Sequence, residues 1–339
     1  MQFQISINIK PLKEPVTYHD KLLLIGSCFT EHIGNYLSDV KFQVLQNPNG
    51  ILFDPLSVCR SIISYIDNKQ YKEEELFYLN EAWHSWNHHS RFSNPDKSQA
   101  LVAINQSQRE AHNFLKEADW LIITLGSSFV YKLVPTIAEA MQKGVSAEQN
   151  NVANCHKAPA QTFQKHLCTI EEIVTALDGM LFRLFHFNPK LNVIFTISPV
   201  RHLRDGVIEN NRSKARLVES VHHLVNKFDK LHYFPAYELV IDVLRDYRFY
   251  DIDMAHPNYP ATQFVLEHFF NTCVDDSSKN LAEEIRKINI AKNHKPFNPS
   301  SQQHKQFLQS YANKVAQLQA AHPYISFAAE QSYFNNLSL

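Results

Sequence analysis

The sequence has few glycines and few cysteines, and it has no long apolar run. The five cysteines are scattered and form no C-x-x-C pair, which argues against a disulfide scaffold and against a cysteine-based zinc site. No apolar run approaches the ~20 residues of a helix that spans a bilayer. Residues 1–16 alternate polar and apolar side chains and lack the cationic start and apolar centre of a secretory signal. We therefore expect a reduced, cytoplasmic protein.

An excess of charge of either sign is also missing. Lysine and arginine total 33 and aspartate and glutamate total 34, which leaves a net charge of −1. A nucleic-acid binder or a polybasic membrane anchor needs a clear positive excess, so we expect no nucleic acid and no membrane as partner. Hydrophobic residues make up 44% of the chain, which is enough for a packed core and argues against intrinsic disorder.

Three short apolar runs predict buried strands, at Lys21–Gly26, 120–126 and 192–198. They are rich in leucine and β-branched residues and do not alternate with polar ones, which is typical of central strands covered on both faces. Apolar residues recur every three or four positions over 167–184 and 217–228, which predicts amphipathic helices. Strands that alternate with helices indicate an α/β fold, a three-layer sandwich around a central parallel sheet.

The chain divides into a main domain and an extension. We expect residues 1–293 to form the α/β domain, with insertions or long loops over 69–98 and 134–161. The stretch 294–301 contains two prolines and predicts a linker. An apolar helical stripe follows it, and we expect 294–339 to be a C-terminal helical extension packed on the domain, because so short a segment is too small for a core of its own.

The first candidate for chemistry is Gly26-Ser27-Cys28-Phe29, which directly follows a predicted strand and opens a predicted helix. A serine at such a turn lies at the sheet edge where ligands bind in open α/β folds. Its own N–H, at the N-terminus of the helix, points toward developing negative charge. Ser27 is therefore either a nucleophile or a simple helix cap, and the tetrapeptide alone favours the cap.

The second candidate is the pair Asp253 and His256, three residues apart near the end of the domain. In a loop, this spacing lets the carboxylate accept a hydrogen bond from the imidazole Nδ1–H, which leaves Nε2 free to take a proton from a serine. Pro257 keeps His256 out of the following helix. The alternative is an aspartate that caps a helix beside an exposed histidine.

A strand-end serine and a late Asp-x-x-His together resemble the SGNH (GDSL-type) hydrolases and, more narrowly, the GSCFA family, named after its Gly-Ser-Cys-Phe-Ala motif. Here the motif reads Gly26-Ser27-Cys28-Phe29-Thr30, with threonine in place of alanine. The resemblance continues in order over residues 21 to about 270. Its further blocks are N-P-N-G at 47–50, L-G-S-S at 125–128, N-C-H-K at 154–157, I-S-P-V-R-H at 197–202, D-Y-R-F-Y at 246–250 and the D-x-x-H at 253–256.

The resemblance implies a flavodoxin-like sheet with Ser27 as the nucleophile, His256 as its base and Asp253 as the residue that orients the base. Cys28 is a rival nucleophile whose pKa a helix N-terminus would lower. Adjacent residues at a turn point in different directions, so only one of Ser27 and Cys28 faces His256. We expect Cys28 to lie in the core, where unpaired cysteines are common.

The resemblance also implies an oxyanion hole made of the Ser27 N–H, a glycine N–H and an asparagine side chain. Gly50 matches the glycine. The expected asparagine is missing, because serine, Ser127 or Ser128, stands in its block. The third donor is therefore Ser127 or Asn154, and we expect Asn154, because its amide reaches farther and carries two N–H groups.

We assign the substrate-binding wall to Trp83, Trp86, His88 and His156, whose rings offer stacking surfaces and serve packing equally well. His84 and His88 are four apart and on a helix would share a face suited to a metal. The glutamate that marks the zinc-protease motif H-E-x-x-H is absent, however. We therefore expect no metal and no organic cofactor.

These features predict a serine esterase that cleaves a small acyl ester through Ser27, His256 and Asp253. The substrate we expect is a small-molecule or carbohydrate ester, with an O-acetyl group on a sugar as one form. Two alternatives stay open at this point. One is an acyltransferase on the same scaffold, in which a sugar hydroxyl replaces water. The other is a non-catalytic carbohydrate-binding domain that keeps the fold.

Overall fold

The computed structural model describes residues 5–134 and 151–337. A five-stranded sheet forms its centre, and all of its strand pairs are parallel. The strands are β1 (Lys21–Gly26), β2 (Gln43–Gln46), β5 (Trp120–Leu125), β9 (Asn192–Ile197) and β10 (Leu231–Tyr233), in the spatial order β10-β9-β5-β1-β2. The three predicted runs are the three inner strands, and the order is that of a flavodoxin-like fold.

Helices cover both faces of this sheet. One layer contains α1 (Cys28–Asp39), α7 (Tyr259–Cys273), α8 (Asp276–Asn293), α9 (Gln302–Ala321) and α10 (Ala328–Leu337). The other contains α2 (Pro55–Ile66), α3 (Lys97–Glu117), α4 (Ile170–Phe187) and α5 (Gly206–Val225). The first layer also contains α6 (Ala236–Glu238), which runs into a π-helical turn at Leu239–Leu244. The predicted three-layer α/β sandwich is confirmed.

Alternation along the strands divides the core between the two layers. Leu22 and Leu24 of β1 pack toward α1 and the C-terminal helices, whereas Leu23 and Ile25 pack toward α2 to α5. All four side chains are at most 1% exposed. Such strands need no polar face, which explains why their sequences are apolar without interruption.

The chain beyond residue 293 packs on the main domain. Residues 294–301 carry neither helix nor strand. Leu308 and Val315 of α9 and Phe334 of α10 are buried in the same apolar cluster as Phe29 and Ile33 of α1. Since burial of apolar surface is the main favourable term in folding, these helices are held by the core of the α/β domain.

The predicted insertions contain short strands of their own. Within 69–98, which was predicted as an insertion or long loop, β3 (Phe77–Leu79) and β4 (Ala82–His84) form an antiparallel hairpin. A second antiparallel sheet consists of β6 (Phe129–Leu133), β7 (Asn151–Val152) and β8 (Phe163–Leu167). The central part of the predicted 134–161 insertion, residues 135–150, lies outside the described residues. Among the helices that are described, none combines the length and apolarity needed to cross a membrane.

Candidate active site

The turn between β1 and α1 holds Ser27 at the carboxyl edge of the sheet. Gly26 ends β1 with φ +153°, and a β-carbon there would clash with the Thr124 carbonyl oxygen of β5, so only glycine fits. Ser27 is the N-cap of α1, and its Oγ accepts a hydrogen bond from the Phe29 N–H at 3.3 Å. Ser27 is therefore a helix cap, as one of the two interpretations predicted. Its hydroxyl also lies at the positive end of the helix dipole.

Asp253 and His256 lie together on the loop that precedes α7. Asp253 Oδ2 is 2.6 Å from His256 Nδ1, and Asp253 Oδ1 accepts hydrogen bonds from the N–H groups of His256 (3.0 Å) and Ala255 (2.9 Å). These N–H groups and the imidazole lower the pKa of Asp253 to about 2. The Arg201 N–H donates to the Ala255 carbonyl at 3.0 Å and ties the loop to the chain that follows β9. The carboxylate thus fixes the ring with Nε2 pointing away from it.

A cavity of about 370 Å³ brings the two candidate segments together. His256 and Pro257 line it from one side, and Cys28 and Phe29 at the start of α1 line it from the other. Ser27 itself is 3% exposed and does not line this cavity. The expectation that Cys28 lies in the core is wrong, because its side chain is half-buried and belongs to the cavity wall. Burial nevertheless raises the pKa of its thiol.

The position of Ser27 agrees with a general property of this sheet order. The chain leaves β1 to form α1 on one face and leaves β5 toward the opposite layer, so the strand order reverses between β1 and β5. Ligands in such folds bind outside the carboxyl ends of the strands at that crevice. Ser27 directly follows β1, and Gly126 directly follows β5.

Sequence reasoning missed a buried lysine at this edge. Lys214 of α5 is 2% exposed, and its Nζ donates hydrogen bonds at 2.6 Å to the carbonyl oxygens of Gly126 and Ser198, just beyond the ends of β5 and β9. Burial lowers its pKa to about 7. A signal was present: Lys214 continues the core-facing spacing of Leu217 and Val221 on α5, where a charged residue is unexpected.

His202, in the I-S-P-V-R-H block, stands beside the same strand end. Its ring lies over Phe53 with centroids 5.0 Å apart, and its Nε2 is 3.4 Å from the position that a Gly126 β-carbon would take. Burial and the charge of Lys214 lower its pKa to about 4, so the ring is neutral near pH 7. Its backbone N–H donates to Asn210 Oδ1 at 2.9 Å.

The structure corrects the oxyanion assignment of Gly50. The Gly50 N–H donates to the Asn47 carbonyl at 2.7 Å and closes the N-P-N-G turn, so this donor is already used. Its φ of +82° and its close contact with His89 explain why glycine stands there. The Ser27 N–H has only a long hydrogen bond, at 3.3 Å, to the Thr124 carbonyl.

The two candidates for the third donor are both held by local hydrogen bonds. Ser127 Oγ accepts from the Phe129 N–H at 3.1 Å and lies 3.2 Å from Ser213 Oγ, which fastens this turn to α5. Asn154 Oδ1 accepts from the His156 N–H at 2.8 Å, and no residue that the structure describes accepts from the N–H groups of the amide. Of the two, Asn154 keeps the donor that an oxyanion needs.

Two family models match the chain, one over most of its length and one over its C-terminal part. The sequence model of the GSCFA family matches residues 21–269, and that of the GSCFA domain protein, C-terminal domain, matches residues 285–337. The chain belongs to the GSCFA family. A search of curated protein sequences gives no match.

One solved structure similar to this GSCFA chain is that of an acetyl xylan esterase (Est2A) from the rumen bacterium Butyrivibrio proteoclasticus. The two are 12% identical, with a TM-score of 0.32. The similarity covers 76% of the GSCFA chain and 65% of the esterase chain, so the GSCFA chain spans less than two thirds of the length of that protein.

The structure does not bring the predicted substrate wall of the GSCFA chain to the cavity. Trp86, His88 and His156 are 4%, 1% and 6% exposed, and Trp86 stacks on Phe77 with centroids 3.6 Å apart. His156 Nε2 is 2.8 Å from the Ser85 carbonyl, and His88 Nδ1 is 2.9 Å from Ser85 Oγ. These rings pack a small core under the β3–β4 hairpin. Trp83, half-buried on β4, lies under the Lys97 ammonium.

The alternative metal site at His84 and His88 is not formed. His84 lies on β4 and His88 on the turn after it, so the two share no helix face. Both ring nitrogens of His84 are used, Nδ1 by Ser93 Oγ at 2.6 Å and Nε2 by the Leu79 carbonyl at 2.9 Å. Burial is the main cause that lowers the pKa of His88 to about 3.

A different trio, His166, Cys168 and Glu172, has ligand atoms within 4.8 Å of one another. Its members already have other roles. Glu172 accepts the Thr169 N–H at 2.7 Å in the capping box of α4 and holds His166 Nε2 at 2.9 Å, while burial raises the pKa of the Cys168 thiol to about 12. Metal ligation would need the thiolate.

The ester hydrolysis that the sequence predicts should be independent of metal ions. Prolonged dialysis against EDTA should leave kcat and KM for p-nitrophenyl acetate unchanged, because the groups around His256 need no cation for acyl transfer. A loss of activity that zinc restores, and that His166→Ala makes permanent, would contradict this expectation.

Proposed function

We propose that this protein is a serine esterase of the SGNH type that hydrolyses small acyl esters, including O-acetyl groups on carbohydrates. One observation carries the proposal: His256, joined to Asp253 at 2.6 Å, lines a cavity that Cys28, the residue after Ser27, also lines. Family membership supports it, because the GSCFA motif contains this serine.

In the first half of the reaction, Ser27 Oγ attacks the ester carbonyl carbon while His256 Nε2 takes the hydroxyl proton. The imidazolium that forms is stabilised by Asp253, whose low pKa keeps it ionised. Collapse of the tetrahedral intermediate breaks the ester C–O bond, and His256 returns the proton to the leaving alcohol. The acyl group is then bound to Ser27.

In the second half, a water molecule takes the place of the alcohol. His256 removes one of its protons, the remaining hydroxide attacks the acyl carbon, and the proton passes to Ser27 Oγ as the carboxylic acid leaves. Negative charge on the carbonyl oxygen develops at the N-terminus of α1, where the Ser27 N–H and the helix dipole stabilise it. The Asn154 amide is the side-chain donor in this proposal.

The proposed site accommodates a small acyl group. Phe29, Val200 and Pro257 give the 370 Å³ cavity an apolar wall, and no lysine or arginine among the described residues lines it. Such a wall suits an acetyl group better than an acidic acyl chain, which would be desolvated there without a partner.

A fluorophosphonate probe tests the nucleophile directly. We expect the probe to modify Ser27 in the parent protein and in Cys28→Ala, and to leave Ser27→Ala unmodified, as read by mass spectrometry of the labelled peptide. Cys28 is the competing nucleophile because it lines the cavity with His256. Persistent hydrolysis in Ser27→Ala together with complete loss in Cys28→Ala would assign the chemistry to the thiol and refute the proposal.

A further inference from the structure

A second, larger groove adjoins the proposed active site. It has a volume of about 780 Å³ and lies between α1, α7 and α8. Each helix lines it with residues spaced three and four apart, so that one face of each is turned into it; on α7 these are Tyr259, Thr262, Gln263 and Leu266. None of these residues was singled out from the sequence.

The groove adjoins the cavity that contains His256. His32 of α1 and Tyr259 and Thr262 of α7 line both spaces. The alcohol portion of a substrate whose acyl ester lies at His256 can therefore extend along α1 and α7 toward α8.

The chemistry of the groove suits a polyhydroxylated ligand. His32, Gln263 and Asn293 form no side-chain hydrogen bond with any other residue that the structure describes, so their donors and acceptors are available. Tyr259 is 74% exposed and offers a ring face to the C–H face of a sugar. Planar amides beside an exposed aromatic ring match the alternating polar and apolar surfaces of a pyranose.

The charges in the groove nearly cancel. Arg286 is held by Glu283 through two hydrogen bonds, Nε to Oε2 at 2.7 Å and Nη2 to Oε1 at 2.9 Å, which leaves little positive charge for an anionic ligand. Asp39 is the other acidic or basic residue of the lining apart from histidine. A neutral sugar fits this balance, whereas an acidic polysaccharide would meet the Asp39 carboxylate without a free cation.

The groove is also preformed. Asn289 Nδ2 of α8 donates to the Asp39 carbonyl at the end of α1 at 2.7 Å and joins two of its walls. Tyr36 of α1 is fixed edge-on against Phe270 of α7, with centroids 5.2 Å apart and an interplanar angle of 84°. A rigid groove loses little freedom on binding, which favours affinity for a weakly interacting ligand such as a neutral sugar.

We propose that this groove is the binding site for the alcohol portion of the substrate, a neutral oligosaccharide. We also propose that the C-terminal region of the family forms the α8 wall of the groove. Most of the α8 wall, including Asn289 and Asn293, belongs to the part of the chain matched by the C-terminal domain model, residues 285–337. The ion pair of Lys314 with Glu284 and the buried face of α9 hold α8 in place. The proposal rests on the proposed esterase function, since it assigns the groove to the leaving group of that reaction.

Two measurements on the full chain test the groove. First, binding of xylotetraose, cellotetraose and chitotetraose is measured by titration calorimetry with the parent, Gln263→Ala and Asn293→Ala. Second, kcat/KM is compared between partly acetylated forms of the same sugars and p-nitrophenyl acetate. Gln306→Ala, an exposed amide on the outer face of α9, is the matched control.

We expect at least one tetrasaccharide to bind the parent, and each groove variant to weaken that binding by about three- to tenfold, the effect of losing one hydrogen bond. The ratio of kcat/KM for the acetylated sugar to that for p-nitrophenyl acetate should fall by a similar factor, mainly through KM, with no change in Gln306→Ala. Absence of binding by all three sugars, or equal binding by the parent and both groove variants, would overturn the inference.

The outcomes separate the two proposals. Hydrolysis of p-nitrophenyl acetate without any sugar binding supports the esterase proposal and refutes the groove proposal. Sugar binding that the groove variants weaken, in a parent protein that hydrolyses neither ester, supports the groove and refutes the esterase.

Discussion

Replacing Ser27 or His256 by alanine should lower kcat/KM for p-nitrophenyl acetate by on the order of 10⁴-fold or more, because either change removes the nucleophile or its base. The double variant should be little worse than either single one, since the two groups act in one step. Steady-state kinetics on the three variants measures this directly. Losses that multiply in the double variant would contradict a shared mechanism.

The structure supplies a matched control for the structural role of Ser27. Ser27 caps α1, so its loss also removes a helix cap, which costs about 1 kcal/mol of stability. Ser301 caps α9 in the same way, accepting the His304 N–H at 3.2 Å, and lies outside the site. Ser301→Ala should lose a similar amount of stability and keep full activity. An equal loss of activity in both serine variants would show that capping, and not chemistry, explains the effect.

Replacing Lys214 by methionine should lower both stability and turnover. The change removes the donor to the Gly126 and Ser198 carbonyl oxygens, and two unpaired buried carbonyls cost about 2–4 kcal/mol of stability. Removal of the buried charge offsets part of this loss. A strand end displaced by 1 Å beside Ser27 would lower kcat on the order of 10²-fold. Lys227→Met is the control, because Lys227 is exposed, pairs with Asp178 at the surface and lies over the Phe228 ring.

The difference in the free energy of unfolding between the parent and Lys214→Met should depend on pH, and the sign of this dependence follows from the pKa of Lys214. Burial lowers the pKa of folded Lys214 to about 7 from its ordinary 10.5, so between these values the unfolded chain binds the extra proton and the folded chain does not. The free energy of unfolding of the parent should therefore rise with pH from about 7 toward 10, relative to Lys214→Met, by at most about 1.4 kcal/mol per pH unit.

Below pH 7 both states of the parent bind the proton, and the difference between parent and variant should become constant. The neutral amine still donates to both carbonyls, so its deprotonation removes a buried charge without breaking the hydrogen bonds. Denaturant titrations of the parent and Lys214→Met at pH 6, 7, 8 and 9 measure the difference. A gap that narrows as pH rises would refute the lowered pKa.

Local features of this protein were predictable from short stretches of sequence. The three central strands follow from apolar runs alone, because a strand buried on both faces has no polar face to interrupt it. The contact between Asp253 and His256 also follows from spacing, since three residues in a tight loop bring a carboxylate to an imidazole. Their catalytic roles, and that of Ser27, stay predictions that the experiments above decide.

The errors concern groups whose hydrogen bonds and covering contacts the sequence pattern does not show. Gly50 was expected to donate to an oxyanion, but its N–H closes a turn onto Asn47. Trp86 and His156 were expected to face a ligand, yet the β3–β4 hairpin covers them. The sequence does not distinguish an aromatic ring that stacks on a sugar from one that stacks on Phe77, because the same apolar ring face makes both contacts.

The sequence by itself determined the α/β alternation, the apolar centre of the sheet and the strand-end position of Ser27, because each depends on residues within about one element of one another. Only the tertiary structure decided that Lys214 of α5 lies beneath two strand ends, that Cys28 and not Ser27 lines the cavity, and that α1, α7 and α8 enclose a groove. These arrangements join residues that are far apart in sequence, such as Asn289 and Asp39, which are 250 positions apart. Such contacts depend on which helices pack against each other in the core, and local sequence patterns do not predict that packing.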